Sequence, residues 1–290
     1  MAHGSRLGPD ILTVFGGMFP PGYTWKPVLI LQAGFDGSTS GQPPILTVAG
    51  FLGRLAAVAR FEREWRKVRQ EFGLRHFRMS SFMSLCPPVP YKNWDTDQRR
   101  EVVSRLICLI NETFYLGVGV ALNLHEYRAE VSATPVYKPY RMCAGLCIGS
   151  VARRLSEKPG ESVRYIFEAG DDGVGAFREA MARIVRSSQK YRDEMRIHGI
   201  TPGSKEQYPS LDAADFLAWL VGQDVPRMAP GGFATRRSYA QRIRVPVMAY
   251  VVPRDHLREF ASARTDEKRQ QLAARYGLRL KVPKPPKPRR

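Results

Sequence analysis

Three acidic residues of this sequence lie in apolar surroundings, where an ionised carboxylate is costly unless it has a partner or a function. Asp36 ends a predicted strand, Glu168 ends the segment SVRYIFE, and Asp215 lies inside the apolar run LDAADFLAW. Asp212 precedes Asp215 by three residues, so a helix places both near one face. Carboxylate oxygens are the ligands that Mg²⁺ prefers, and a pair of such ions can assist displacement at a phosphodiester. These four residues are therefore candidate ligands for Mg²⁺ or Mn²⁺.

Each of these acids also has a structural interpretation. Asp36 could begin the turn that follows its strand, and Glu168 could pair with an arginine. Asp212 could cap the helix, because Ser210 and Asp212 both precede an apolar helical run. Residue types and spacing leave both interpretations open.

His76 is a weaker candidate for proton transfer, because an unperturbed imidazole titrates near ~6.5. A hydrogen-bonded structural role is the alternative for a lone histidine. Ser80 and Ser81 follow, but no acid–histidine–serine arrangement is recognisable in the sequence. Phosphate-binding loops, GxGxxG after a strand and GxSxG are also missing, which argues against nucleotide-dependent hydride transfer and serine hydrolysis.

The elements that must position these residues follow from hydrophobic patterning. The β-rich runs 28–36 and 45–53, joined by a Gly/Ser/Pro turn, predict an antiparallel hairpin. Apolar residues at helical spacing predict a helix over 55–72 that Gly73 ends. The remaining pattern predicts helices over 95–112 (with Asp95 as N-cap), 137–155, 174–189, 211–223 and 254–275, extended segments over 76–82, 114–123, 162–173 and 244–252, and loops over 83–94 and 190–209.

The charge balance indicates a polyanionic partner. The 290 residues carry a formal net charge of +18, and removing the six basic residues of 279–290 still leaves +12. A basic surface attracts phosphate backbones through counterion release, without sequence specificity. A solvated, arginine-rich surface is the alternative interpretation. The hydrophobic fraction of 43% is that of a globular protein.

Cysteine usage and hydropathy suggest a reducing compartment. None of the four cysteines forms a CxxC pair, so free, buried thiols are predicted at Cys86, Cys108, Cys143 and Cys147. No apolar run approaches ~18 residues, and no signal peptide is recognisable, so no membrane partner is predicted and the cytoplasm is the expected location.

Several short motifs occur in a fixed order over residues 28–222, roughly two thirds of the chain: FDGSTSGQPPILTVAGFLG, the Trp65 helix, HFRMSSF, IFEAGDD and LDAADFLAW. This order resembles the domain-of-unknown-function family numbered 3800. That family shows an acidic DES- or DxSG-like start, a phenylalanine/histidine–methionine segment and a late Gln-x-Ala-Asp helix. The resemblance implies a ribonuclease-H-like fold, in which acids on the first strand, a middle strand and a late helix bind metal.

By this resemblance, Asp36 matches the first-strand acid, Glu168 the middle-strand acid and Asp215 the acid of the late helix. His76 matches the histidine of the phenylalanine/histidine–methionine segment. Two positions depart from the family pattern, because Gly37 stands where a second acid is usual and Asp212 stands where a glutamine is usual.

The sequence therefore predicts an α/β fold with a mixed central β-sheet flanked by helices, and the resemblance implies that it is ribonuclease-H-like in class. A single domain is expected over 27–275, between an irregular lead-in over 1–26 and a basic Pro/Lys-rich tail over 276–290. The predicted function is a Mg²⁺- or Mn²⁺-dependent phosphodiesterase that acts on DNA or RNA. The alternative is a nucleic-acid-binding module that keeps the fold without catalysis.

Overall fold

The computed structural model describes residues 29–40, 44–84, 87–88, 90–131, 138–156, 158, 160–169, 189–224 and 238–262. Six strands are present in this part of the chain: β1 (Leu29–Ser40), β2 (Ile45–Arg54), β3 (Phe114–Asn123), β4 (Glu161–Glu168), β5 (Ile197–Gly203) and β6 (Val247–Val251). The helices are α1 (Leu55–Glu71), α2 (Met79–Phe82), α3 (Thr96–Thr113), α4 (Leu124–Val131), α5 (Pro139–Arg154), α6 (Gln189–Glu194), α7 (Ser210–Asp224), α8 (Ser238–Arg242) and α9 (Arg254–Ser262). Among them, no helix is both long and apolar enough to cross a membrane.

The six strands form one mixed sheet in the order β5-β4-β1-β2-β3-β6. Strands β1, β2 and β3 are antiparallel neighbours, as the predicted hairpin requires, whereas β4 pairs with β1 in parallel and β5 pairs with β4 in parallel. Gly50 lies opposite Phe35, where a Cβ atom would approach the Gly34 carbonyl oxygen to 1.7 Å. Only glycine fits that close approach between β1 and β2.

Helices cover both faces of the sheet, so the predicted mixed sheet flanked by helices is confirmed. On one face, the buried side of α5 packs against inward-facing residues of β1 to β4. On the other face, α1, α3 and α7 form a second core around Trp65, which is fully buried. Helix α3 begins as predicted, because the Asp95 carboxylate accepts a hydrogen bond from the Gln98 backbone N–H at 2.7 Å.

Several predictions of local structure are wrong. The segment 76–82 is not extended throughout, because Met79–Phe82 forms the helical turn α2, which buries both of its end residues. The segment 190–209 is not a loop, because it contains β5, which the parallel pairing with β4 stabilises despite its polar composition. Asp36 does not end β1, which continues to Ser40. Helix α4 was not predicted.

The thiol prediction is confirmed for two cysteines and wrong for a third. Cys143 and Cys147 are free and buried, whereas Cys108 is free but exposed on α3. Cys86, residues 174–188 of the helix predicted over 174–189, residues 1–26 and residues 276–290 lie outside the described residues.

Candidate active site: a carboxylate cluster around a buried lysine

The first two candidate acids lie on neighbouring parallel strands. Phe35 pairs in register with Phe167, and their rings stack at a centroid distance of 5.3 Å in the core under α5. Side chains alternate along a strand, so the next residues, Asp36 and Glu168, point to the opposite face. The alternation of side chains along β1 and β4 therefore explains why each acid directly follows a buried apolar residue in the sequence.

Helix α7 and the loop before it complete the cluster. The ammonium group of Lys205 lies 2.9 Å from an Asp36 oxygen, 3.0 Å from an Asp215 oxygen and 3.3 Å from a Glu168 oxygen. The lysine is only 3% exposed. The structure therefore brings together the acids predicted on the first strand, the middle strand and the late helix, and places one cation among them.

Backbone donors fix the orientation of two of the carboxylates. The Gly37 N–H donates to Asp36 Oδ1 at 2.7 Å, and the Met79 N–H donates to Asp215 Oδ2 at 2.5 Å. Each carboxylate thus directs its remaining oxygen at Lys205. Met79 is the first residue of α2, so its hydrogen bond to Asp215 holds α2 against α7.

Burial and mutual charge set the protonation of the cluster. Burial raises the pKa of the Asp36 carboxyl to about 7, against the opposing charge of Lys205, and Glu168 raises it further. Burial likewise raises the pKa of Asp215 to about 6, with Lys205 again opposing the shift. For Lys205, burial lowers the pKa, but the charges of Asp36, Asp215 and Glu168 outweigh it and hold the net pKa above its ordinary value. The ammonium therefore stays charged at neutral pH.

The open edge of the cluster is at Glu168, whose side chain is 12% exposed, against 1% for Asp36 and 9% for Asp215. The Arg78 guanidinium lies there, 3.9 Å from Glu168 and 51% exposed. His76 is also near this edge, with its side chain 41% exposed and Nδ1 at 3.6 Å from Glu206. Burial and then the charge of Lys205 lower the pKa of His76, so its ring is largely neutral at pH 7.

Asp212 is not brought into this group. It is fully buried one helical turn away, where the Trp65 indole N–H donates to its Oδ2 at 2.8 Å and Arg69 lies at 3.6 Å. Burial raises the pKa of Asp212 to about 7, with Arg69 and Lys205 opposing the shift. It lies within α7, past its first residue, so the capping interpretation is wrong as well. Its partners make it a structural residue that joins α7 to α1.

Removing the Asp212 carboxylate should therefore destabilise the protein without removing a carboxylate of the cluster. The Asp212→Ala variant leaves the Trp65 N–H and the Arg69 guanidinium buried without this acceptor, and we expect a loss of about 3–5 kcal/mol in the free energy of unfolding. Asp212→Asn is the matched control, since its amide oxygen still accepts from Trp65 and its loss should be smaller. Urea denaturation measures both, and wild-type stability in the alanine variant would contradict this role.

Lys205 is the residue that sequence reasoning missed. It lies in the polar segment GSKEQYPS, and nothing in its neighbourhood sets it apart from the other 44 Lys and Arg residues of the chain. Its burial depends on β5, which places it two residues beyond Gly203, the partner of Glu168 in the sheet. The burial of Lys205 could therefore be predicted only by someone who already knew that β5 pairs with β4.

The donor set suits a hard divalent cation, although its present spacing is that of an ammonium site. Within the described residues, no group of three or more His, Cys, Asp or Glu side chains has the geometry of a metal site. The carboxylate oxygens lie 2.9–3.3 Å from the Lys205 nitrogen, which is hydrogen-bond spacing, whereas Mg²⁺ binds oxygen at about 2.0–2.1 Å. Three oxygen donors that already converge on a cation nevertheless fit the chemistry that Mg²⁺ or Mn²⁺ requires.

Comparisons with models of known protein families, with curated proteins and with solved structures find no match. The resemblance to family 3800 and the ribonuclease-H-like class therefore stay predictions.

Proposed function

We propose that this protein is a divalent-metal-dependent phosphodiesterase that acts on nucleic acid. The observation that carries the proposal is the convergence of Asp36, Glu168 and Asp215 on one cation, from two neighbouring strands and a facing helix. These are the positions at which a ribonuclease-H-like fold, as the resemblance implies, would place its metal ligands. The convergence supports a fold of that class.

Asp36, Glu168 and Asp215 would hold Mg²⁺ or Mn²⁺, which supplies activation of a water molecule and neutralisation of charge on the phosphoryl oxygens. The backbone donors Gly37 and Met79 keep two of these carboxylates oriented before any ligand arrives. Such preorganisation avoids the cost of arranging the site during the reaction. Asp212 has no part in this role.

The exposed groups at the open edge fit a phosphate ester. Arg78 presents a half-exposed guanidinium beside Glu168, and Arg75 is 82% exposed nearby, paired with Glu206 at 2.9 Å. A guanidinium binds phosphate oxygens through paired N–H donors. The net charge of +18 supports a polyanion rather than a small phosphate ester as the substrate. His76, largely neutral at this edge, would accept or relay a proton.

A specific observation favours the alternative of a non-catalytic nucleic-acid-binding module. The Lys205 ammonium already compensates part of the carboxylate charge, so the cluster has an internal partner. Gly37 in place of the family's second acid points the same way. The two functions differ in whether the cluster binds a divalent cation at all.

Calorimetric titration with Mn²⁺ tests the proposal. The wild-type protein, freed of metal by chelation, should bind Mn²⁺, and the Asp36→Asn variant should lose that binding because it lacks a ligand charge. Glu130→Gln is the matched control, since Glu130 is also a carboxylate held in ion pairs, with Arg254 and Arg258 between α4 and α9. If neither wild type nor Asp36→Asn binds Mn²⁺, the proposal fails and the binding module is the better function.

Metal affinity should rise with pH. The pKa of Asp36 is raised to about 7 and that of Asp215 to about 6, so both carboxyls carry protons at mildly acidic pH. A metal ligand must be deprotonated, and binding therefore releases protons and strengthens as pH rises through these values. Titrations at roughly pH 5.5 and pH 8, in buffers of different ionisation enthalpy, measure the affinity and the protons released. An affinity that is equal at both pH values would contradict this protonation scheme.

A further inference from the structure

A pocket lined by three arginines lies between α2, α3 and α8. Arg99 and Arg100 come from α3 and Arg242 comes from α8, and the cavity has a volume of about 460 Å³. Cavities of roughly 300–1,000 Å³ are the size that binds small organic ligands. No carboxylate is found among the described residues that line it, so a ligand meets a positive charge there. We call this cavity the arginine pocket.

Two of the three guanidiniums are available to a ligand. Arg100 pairs with Asp97 at 3.0 Å, but the two side chains are 68% and 87% exposed. An exposed ion pair of this kind contributes little to stability, so a phosphate group can compete with it. Arg242 is exposed and donates to the Ser104 hydroxyl at 2.9 Å, and it has no carboxylate partner in the part of the chain that the structure describes. Both arginines therefore have N–H donors left for an anion.

The third arginine fixes the wall of the pocket. Arg99 donates to the carbonyl oxygen of Phe82 at 2.8 Å and to that of Tyr91 at 2.6 Å, and its guanidinium lies over the Phe82 ring, 5.2 Å from the centroid. These contacts hold α2 against α3, while the hydrogen bond between Arg242 and Ser104 holds α8 against α3. The pocket is thus formed before a ligand arrives, which lowers the cost of binding.

Apolar and aromatic side chains complete the lining. Met83 is 43% exposed, and Leu55 is the only other exposed large hydrophobic residue in the described ranges. Tyr239 is half-buried, and its ring packs against that of Phe216 with 6.5 Å between the centroids. A thioether and an aromatic ring are surfaces against which an aromatic base packs well. An exposed methionine beside arginines therefore suits a ligand that carries both a ring and a negative charge.

A second cavity of the same volume shares Arg242 and continues between α3 and α8. Arg244 lines it as well, and its one described carboxylate, Glu112, accepts a hydrogen bond from the Cys108 thiol at 3.3 Å. Two arginines thus outnumber one carboxylate in this cavity. The positive charge extends beyond the arginine pocket, as the phosphates of a nucleotide chain require.

We propose that the arginine pocket binds a nucleotide unit. The phosphate binds to Arg100 and Arg242, because guanidiniums bind phosphate oxygens through paired N–H donors. The base packs against Met83 and Tyr239, because bases stack on aromatic rings. The pocket shares no residue with the carboxylate cluster, so this binding needs no divalent metal and goes beyond the proposed phosphodiesterase function.

Binding of a short, fluorescently labelled oligodeoxyadenylate to the full chain, measured by fluorescence anisotropy in EDTA, tests the phosphate contacts. The double variant Arg100→Gln/Arg242→Gln should bind about ten-fold or more weakly, the scale of losing one charge-assisted hydrogen bond. The slope of log affinity against log salt concentration should also become flatter by about 0.7–1.4, since each phosphate contact to a single strand contributes about 0.7.

The base contact is tested with Tyr239→Leu, which keeps an apolar side chain but loses the ring. It should bind about five-fold or more weakly, the lower end of the effect of losing one stacked base, with the salt dependence of wild type. Circular dichroism establishes whether the variants fold. If Tyr239→Leu does not fold, Met83→Ser takes its place, because Met83 is exposed and its loss leaves the core intact.

Arg63→Gln/Arg258→Gln is the matched control for charge. It also removes two arginines, 62% and 57% exposed, that pair with carboxylates outside the pocket, and it should keep the salt dependence of wild type. An equal loss of affinity in both double variants would mean that net charge alone attracts the strand, and it would overturn the proposal. Absence of binding by wild type would overturn it too, without bearing on the Mn²⁺ titration of the cluster.

Competition with adenosine 5′-monophosphate and with inorganic phosphate identifies the form of the ligand. Displacement of the labelled strand by the mononucleotide, at concentrations where phosphate has no effect, would show that the pocket takes a free nucleotide. Displacement only by unlabelled oligonucleotide would show that it takes a nucleotide within a strand. Equal displacement by mononucleotide and phosphate would show that the base is not recognised, and it would overturn the proposal.

Discussion

Asp36→Asn and Asp215→Asn are each expected to reduce Mn²⁺-dependent cleavage of DNA or RNA by about 10²-fold or more, the scale of removing one preorganised electrostatic group. Both carboxylates direct an oxygen at the cation position, and both are oriented by a backbone N–H. An amide keeps the size of the side chain but loses the charge that a divalent ion needs. The fold should persist, because burying an amide in place of a carboxylate lowers the cost of burial.

Single- and double-stranded oligonucleotides with saturating Mn²⁺ provide the substrates, and the rate of product formation under single-turnover conditions is the quantity to measure. Glu130→Gln serves again as the matched control and should cleave at the wild-type rate, since its carboxylate pairs with Arg254 and Arg258 away from the cluster. Cleavage at the wild-type rate by either asparagine variant would show that the site is assigned to the wrong residues.

Lys205→Met is expected to be the most destabilising change in the cluster when no metal is present. The substitution leaves three carboxylates, of which Asp36 and Asp215 are buried, facing one another with no cation between them. Breaking a buried ion pair by removing one partner costs about 3–5 kcal/mol, because the remaining charge stays uncompensated. We expect a loss of that order in the free energy of unfolding at neutral pH.

The loss of unfolding free energy caused by Lys205→Met should be smaller at low pH. Carboxyls whose pKa in the folded protein is raised above the unfolded value add stability at low pH, and that stability is lost as pH rises through the folded pKa. In wild type these values are about 7 for Asp36 and about 6 for Asp215, and without Lys205 they should be higher still. Urea unfolding of both proteins at roughly pH 5 and pH 8 should therefore show the larger difference at the higher pH. A pH-independent difference would mean that packing, and not charge, explains the effect of Lys205.

Added Mn²⁺ should restore part of the stability of Lys205→Met, because a ligand that binds only the folded state stabilises it by mass action. Wild type should gain less at the same concentration, since its cluster is already partly neutralised. Thermal unfolding with and without Mn²⁺ measures this gain, with Asp212→Ala as a comparison that is destabilised elsewhere. An equal gain in both destabilised variants would argue that the metal does not act at the position Lys205 vacates.

Local patterns in the sequence were enough to predict most of the helices and strands and to single out three acids. Apolar residues alternate along β1 and β4 and recur at helical spacing along α1, α3, α5 and α7. Such patterns depend only on residues close together in the sequence, so these elements were predictable. An acid within an apolar run has to be buried with partners wherever the chain folds, which is why Asp36, Glu168 and Asp215 were recognisable from their surroundings.

The partner that those acids surround depends on contacts between distant segments of the chain. Lys205 and Asp36 are separated by most of the chain, and they meet because β5 pairs with β4 and β4 with β1. The segment of β5 has no apolar pattern of its own, so its strand exists through pairing. Asp212 and Asp215 looked equivalent along the helix, yet one faces Trp65 and Arg69 and the other Lys205. Which partner an acid meets depends on contacts between distant segments, and those contacts leave no periodic trace in the sequence.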